Sequence, residues 1–155
     1  MESTAEVLES LDNVYHNLIS CEAQAHLQEH AFEADGWGVS KCWDKIESNI
    51  HTKCTHKVLN RMFALGGEPT FQPGFEVKYF RNDFSEAIAM TISSLEMCQV
   101  SIQIAIDAAS EDGDCVTECM LYKCQKWIEK KICKFEGLAK RFGVLGPMVM
   151  TGDVG

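Results

Sequence analysis

Residues 36–69 read GWGVSKCWDKIESNIHTKCTHKVLNRMFALGGEP, and the fold turns on whether this stretch is one helix. Trp43, Ile46, Ile50, Cys54, Val58 and Met62 recur at spacings of three and four, as on a helix with one apolar stripe. Asp35-Gly36 punctuates its start and Gly66-Gly67 its end, so a helix is expected over 39–65. On it His51 and Cys54 stand at i, i+3, one turn apart on a shared face, and are candidate metal ligands. The same pair is also accounted for by a Cys serving as a small buried hydrophobe beside an unrelated His.

Three further segments carry helical period. The first, 4–34, places Val7, Leu11, Val14, Leu18, Cys21, Ala25 and then Leu27 or Gln28 on a drifting stripe. The third, 80–109, is apolar over a broad face through Ile88, Ile92, Leu95, Val100, Ile102 and Ile106. Such breadth suits burial on more than one side, including against another subunit. Trp37 and Trp43, read as aromatics in exposed register, are compatible with the same kind of burial or with ordinary core packing. Asp114 is positioned as N-cap of the fourth segment, 115–142, whose stripe is Leu121, Cys124, Ile128, Ile132, Phe135 and Leu138. Residues 143–155 read as a tail.

Between the second and third segments, Glu68 to Val77 contains two prolines and no helical period. Ten to twelve extended residues reach about 35–40 Å, close to the roughly 40 Å length of the second helix. The link can therefore run the length of a bundle and set the third helix parallel to the second. The expectation is a single all-α domain over 1–155, a four-helix bundle with a long crossover between helices 2 and 3.

Composition narrows the function. The formal charge is −9, from 14 Lys and Arg against 23 Asp and Glu, and no basic run exceeds two residues, which disfavours nucleic acid as a partner. The N-terminus has neither a basic n-region nor an apolar h-region, and no uninterrupted apolar run approaches ~18 residues. A cytoplasmic protein with no membrane partner is expected. In that compartment the 8 cysteines are expected to be thiols or metal ligands rather than disulfides. Cys115, Cys119, Cys124 and Cys133 lack zinc-ribbon spacing, and Cys115 and Cys119 fall on the side of helix four away from Cys124, as surface or interface thiols would. His26 and His30, at i, i+4 on helix one, are able to hold a surface metal or simply to be solvated.

In order and spacing, several motifs resemble the bacterioferritin branch of the ferritin-like superfamily. They are Glu29-His30-Ala31 with Asp35-Gly36-Trp37-Gly38, Arg61 with Leu65-Gly66-Gly67-Glu68-Pro69, and Trp127-Ile128-Glu129. The resemblance spans residues 11–142 and implies a ferritin-like bundle that assembles into symmetric oligomers, as a homo-oligomer or mixed with a related subunit, and handles iron. Relatives hold two irons inside the bundle with a Glu from helix one, a Glu from helix three and a Glu-x-x-His pair on each of helices two and four. The resemblance aligns Ser20, His51-x-x-Cys54 and Leu121-x-x-Cys124 with three of those elements, while Glu86 lies near the fourth. Thr52 stands where many relatives carry a haem-ligating Met.

Carboxylates neutralise hard iron ions, whereas Cys and His favour softer or borderline metals. A standard ferroxidase centre and the usual interface haem are therefore not expected, and no catalytic residue is assigned. The leading reading is an iron-storage or iron-handling subunit that contributes shell and cation-attracting surface. The alternative is a soft-metal or thiol redox bundle in which His51, Cys54 and Cys124 hold Zn, Cu or iron in the core.

Overall fold

The stretch that decides the fold is one continuous helix, but not a uniform one. In the computed structural model, which describes residues 2–146, it comprises α2 (Ser40–Ile50), a π-helical turn (His51–Thr55) and α3 (His56–Ala64). The His56 amide bonds the His51 carbonyl, five residues back. The cause lies in the spacing: the apolar residues at 46, 50, 54, 58 and 62 step by four, which on an unbroken α-helix would carry the stripe about 40° further round each time. The wider turn absorbs one surplus residue. Ile46, Ile50, Cys54, Val58 and Met62 are consequently all buried.

The other helices are α1 (Glu2–Ala34), α4 (Phe84–Glu111) and α5 (Cys115–Leu145). Of the two alternatives on α1, Gln28 turns inward and Leu27 outward. On α4, Val100 is 63% exposed rather than part of the buried stripe. The expected start at 80 moves to Phe84, because the Asp83 side chain caps the helix by accepting the Glu86 amide at 3.1 Å. Asp114 caps α5 as expected, accepting the Thr117 amide at 3.1 Å. The expected tail over 143–155 is helical through Leu145, and residues from 147 onward lie outside the described residues.

α1 and α2 form an antiparallel hairpin about Gly36 (φ 82°). The chain then reaches the N-terminal part of α1 and returns along it through a long crossover. A polar row on α1 at four-residue spacing receives that crossover. Asp12 accepts the Thr70 amide at 3.1 Å, His16 Nε2 lies 3.0 Å from the Thr70 carbonyl, and the Ser20 hydroxyl accepts the Gly74 amide at 2.8 Å. Gln24 accepts the Lys78 amide at 3.3 Å, and Gln28 both accepts from and donates to the Phe80 backbone at 2.8 Å. Asp35 finishes the row by binding the Arg81 guanidinium and the Asn82 amide.

These bonds satisfy backbone groups that the extended segment cannot pair with itself. At Gly74 the approach leaves no room for a side chain: a Cβ there would sit 2.7 Å from the Asn17 amide nitrogen. The crossover thus delivers α4 to the far end of α1, antiparallel to it and parallel to α2–α3, and α5 returns beside α4.

Trp43 is an intramolecular core residue, fully buried, rather than an exposed-register aromatic. Its indole nitrogen donates to Thr91 Oγ1 at 2.9 Å. Its ring meets Phe32 and Phe135 edge-on at centroid separations of 5.1 and 5.2 Å, geometry that adds about 0.5–1.5 kcal/mol per pair beyond area burial. Among the described residues only α4 is long and apolar enough, by composition, to cross a membrane.

Candidate metal centre

Every helix of the bundle brings a buried thiol to the core: Cys21 from α1, Cys42 from α2, Cys54 from the π turn, Cys98 from α4 and Cys124 from α5. Four of these interact in pairs, Cys54 with Cys124 and Cys21 with Cys98. The Cys124 Sγ lies 3.6 Å from the Lys53 carbonyl in the π turn and 3.9 Å from the Met120 sulfur. Donation from Cys54 favours Cys124 as the thiolate of its pair and outweighs the opposing effect of burial. The Cys54 thiol is held far above its ordinary value, first by that bond and then by burial. Interaction with Cys21, then burial, likewise pushes Cys98 up. The interior therefore resists carrying more than one negative charge per pair.

Of the three ligands expected from sequence, the structure brings together Cys54 and Cys124 but not His51. His51 has a 61% exposed side chain, and its Nδ1 lies 3.3 Å from Glu22. The physical reason is the π turn, which spans His51 to Thr55, so residues three apart within it do not stack as they would on an α-helix. Glu22 in turn accepts the Thr55 hydroxyl at 2.9 Å. Burial raises the Glu22 carboxyl above its usual range despite both partners.

The residues present do not fit a di-iron carboxylate site. Among the described residues, the buried polar residues carry amide, hydroxyl and imidazole groups, with no Asp or Glu, and the one enclosed carboxylate side chain in an ion pair, Asp35, lies at the hairpin end against Arg81 rather than between the helices. Ser20 clips the crossover, Leu121 is apolar core and Glu86 is exposed in the first turn of α4. A site built from bridging carboxylates has no bridging group here. Thr52, exposed, turns its hydroxyl back to the Ser48 carbonyl at 3.0 Å.

A second gathering of ligands lies on the outer face of the α1–α2 hairpin. The ligand atoms of His26, Glu29 and His30 all fall within 4.8 Å of one another, as do those of Glu29, Asp44 and Glu47. Glu29 belongs to both sets. His26 Nδ1 contacts Glu47 at 2.8 Å, and His30 Nε2 lies 3.4 Å from Glu29. Burial, followed by a hydrogen bond with Asp44, pushes the Glu29 carboxyl up to about 7, so it shares a proton with its neighbour near neutrality. Imidazole and carboxylate together suit a borderline or hard divalent cation, and the group is able to chelate one.

Sequence reading singled out His26 and His30 but missed Glu29, Asp44 and Glu47. A signal was present. In an antiparallel hairpin, residues equidistant from the turn are level, and His26 with Glu47, Glu29 with Asp44, and Glu22 with His51 each lie equally far before Gly36 and after Trp37. Knowing that the connection is as short as this turn was the missing step.

No protein-family model and no curated protein matches the sequence. Solved structures do match. One is a bacterioferritin of Desulfovibrio desulfuricans with a diiron site described in different catalytic states: TM-score 0.89, 16% identity, covering 97% of this chain and 88% of that one. Another is a bacterioferritin of Rhodobacter capsulatus described with a metal-free dinuclear site and a haem iron: TM-score 0.83, 19% identity, covering 95% of this chain and 91% of that one. At these identities the likeness is one of fold, and the chain is an all-α bundle with the ferritin-like fold of the bacterioferritins.

Proposed function

We propose that the protein is an iron-handling, non-ferroxidase subunit of a ferritin-like assembly, holding cations at its surface rather than oxidising them in its bundle. The observation that carries this reading is the exchange of ligand chemistry between inside and outside. Among the described residues no Asp or Glu is a buried residue of the core, while His26, Glu29, His30, Asp44 and Glu47 converge on the outer face of one hairpin. A charge of −9 favours cation accumulation around such a site. Exposed Met97, Val100 and Ile104 on α4 support association with a further subunit, the same chain or a related one. Thr52 offers no thioether for an interface haem.

The test is Fe(II) added in air to the purified chain. Iron should oxidise no faster than in a protein-free control, and haem should add no Met-ligated spectrum. A saturable fast phase of two irons per chain would overturn the proposal. Native mass should give a discrete oligomer for the chain alone or with its partner subunit, and a persistent monomer in both cases would overturn the assembly.

A further inference from the structure

We infer that Cys54, Cys124 and Met120 form a site for one monovalent soft metal ion, Cu(I), in the core of the bundle. The three sulfurs come from two helices that face each other. The Cys124 Sγ is 3.9 Å from the Met120 Sδ, and the Cys124 thiol reaches the Lys53 carbonyl at 3.6 Å, which sets it against the π turn that carries Cys54. Both cysteines are wholly buried, and Met120 packs at the edge of the core.

The ligand chemistry selects the ion. Thiolate and thioether together favour Cu(I), which is satisfied by two or three sulfur ligands. Zn(II) asks for four ligands in a tetrahedron, and among the described residues no imidazole or carboxylate gathers with these thiols to complete one, His51 facing outward toward Glu22. Cys21 and Cys98 are buried thiols in the same interior, and Cys21 lies near enough to Cys54 to act on its charge. The π turn belongs to the site: by widening the helix at Cys54 it keeps this thiol in the core while turning His51 out.

Access is from the α3–α5 side. A groove of about 500 Å³ is lined by Lys57, Cys115, Val116, Cys119, Met120 and Lys123, so Met120 stands at the boundary between groove and core. Cys115 and Cys119, both exposed, put two thiols on its wall. On binding, Cys54 and Cys124 each lose a proton to solvent as a sulfur–copper bond forms, while copper leaves its carrier ligand and stays Cu(I). Two thiolates and one Cu(I) leave a single negative charge, and the Lys57 ammonium lies close enough to favour it.

The test is an anaerobic titration of the reduced chain against the coloured Cu(I) complex of bicinchoninate. Wild type should withdraw about one Cu(I) per chain, with sulfur-to-copper absorption in the ultraviolet. Cys54→Ala/Cys124→Ala should weaken this at least about tenfold, Met120→Leu should weaken it less, and His51→Ala should leave it unchanged. Cys115→Ser/Cys119→Ser should slow uptake and leave the final stoichiometry intact. Circular dichroism checks the core variants, and should the double variant not fold, Cys124→Ser and Met120→Leu report the same affinity. Withdrawal of no copper by wild type would overturn the site. So would unchanged affinity in the folded core variants, or capacity that vanishes with Cys115 and Cys119.

Discussion

In the bundle interior the groups able to hold a metal are chiefly sulfur atoms, buried and contributed by all four helices of the bundle. On the outer face of the α1–α2 hairpin they are imidazoles and carboxylates on two helices, half exposed, with Glu29 shared between two sets. The contrast follows from solvation. A carboxylate in the core without a cation would carry an unpaired charge in a low-dielectric medium, whereas a protonated thiol costs little more than a hydrophobe of its size. At the surface the same carboxylates remain hydrated, and their mutual repulsion is relieved by sharing a proton or a cation. A four-helix scaffold can therefore carry its hard ligands on the surface and fill its interior to core density.

The largest expected effect separates the two regions by access. A thiol reagent applied to the folded, reduced chain should modify Cys115, Cys119 and Cys133 rapidly. The five buried thiols should react about a thousandfold more slowly or less, limited by opening of the bundle. Mass spectrometry of the modified chain checks this, and fast labelling of Cys54 or Cys124 would break the comparison by showing an open interior.

Next comes charge. Cys124→Glu should cost about 3–5 kcal/mol in a urea melt, because it buries a carboxylate without a partner. Asp44→Asn on the hairpin should change stability by no more than about 0.5 kcal/mol. Equal costs would mean that the two regions are solvated alike.

A third expectation concerns divalent cations. Zn(II) at a hundredfold excess over its dissociation constant should stabilise the chain by about 2.7 kcal/mol. That gain should disappear in His26→Ala/Glu29→Gln and persist in Cys54→Ala. Calorimetry reads both, and the reverse pattern would move the hard-ion site indoors.

The smallest effect is at the clasp between the regions. The Arg81 guanidinium, with help from the Asn82 amide, holds the Asp35 carboxyl below its usual range. A lowered folded value stabilises the protein above the unfolded value and loses that contribution as pH falls through the folded one. Asp35→Asn should therefore lower the melting temperature at pH 7, and the difference should close below about pH 4. A gap that widened in acid would reverse this assignment.

Much of the architecture was legible before the fold was known. The stripes on the helices, apart from Val100 on α4, both helix stops around 36 and 66, the Asp114 cap and the reach of the crossover are local or one-dimensional properties, written in residue spacing and length. The candidate site was legible only in part. Cys54 and Cys124 could be placed inward from their stripes, yet pairing His51 with them assumed an unbroken α-helix. The strict four-residue spacing from Ile46 to Met62 was the trace of the π turn, and it was readable as drift but not as a change in which side chain faces out. The resemblance set Ser20 on the metal side of α1, whereas its hydroxyl accepts the Gly74 amide of the crossover.

By itself the sequence determined four helices, most of their apolar faces and their order, because these depend on composition and period. Only the tertiary structure decided that Cys21, Cys54, Cys98 and Cys124 meet in one interior, that His51 leaves it, and that His26, Glu29, His30, Asp44 and Glu47 converge outside. The physical reason is that side-chain direction at a helix–helix contact depends on turn geometry and hairpin register. Each is fixed by packing among segments far apart in the chain rather than by the residues that end up as neighbours.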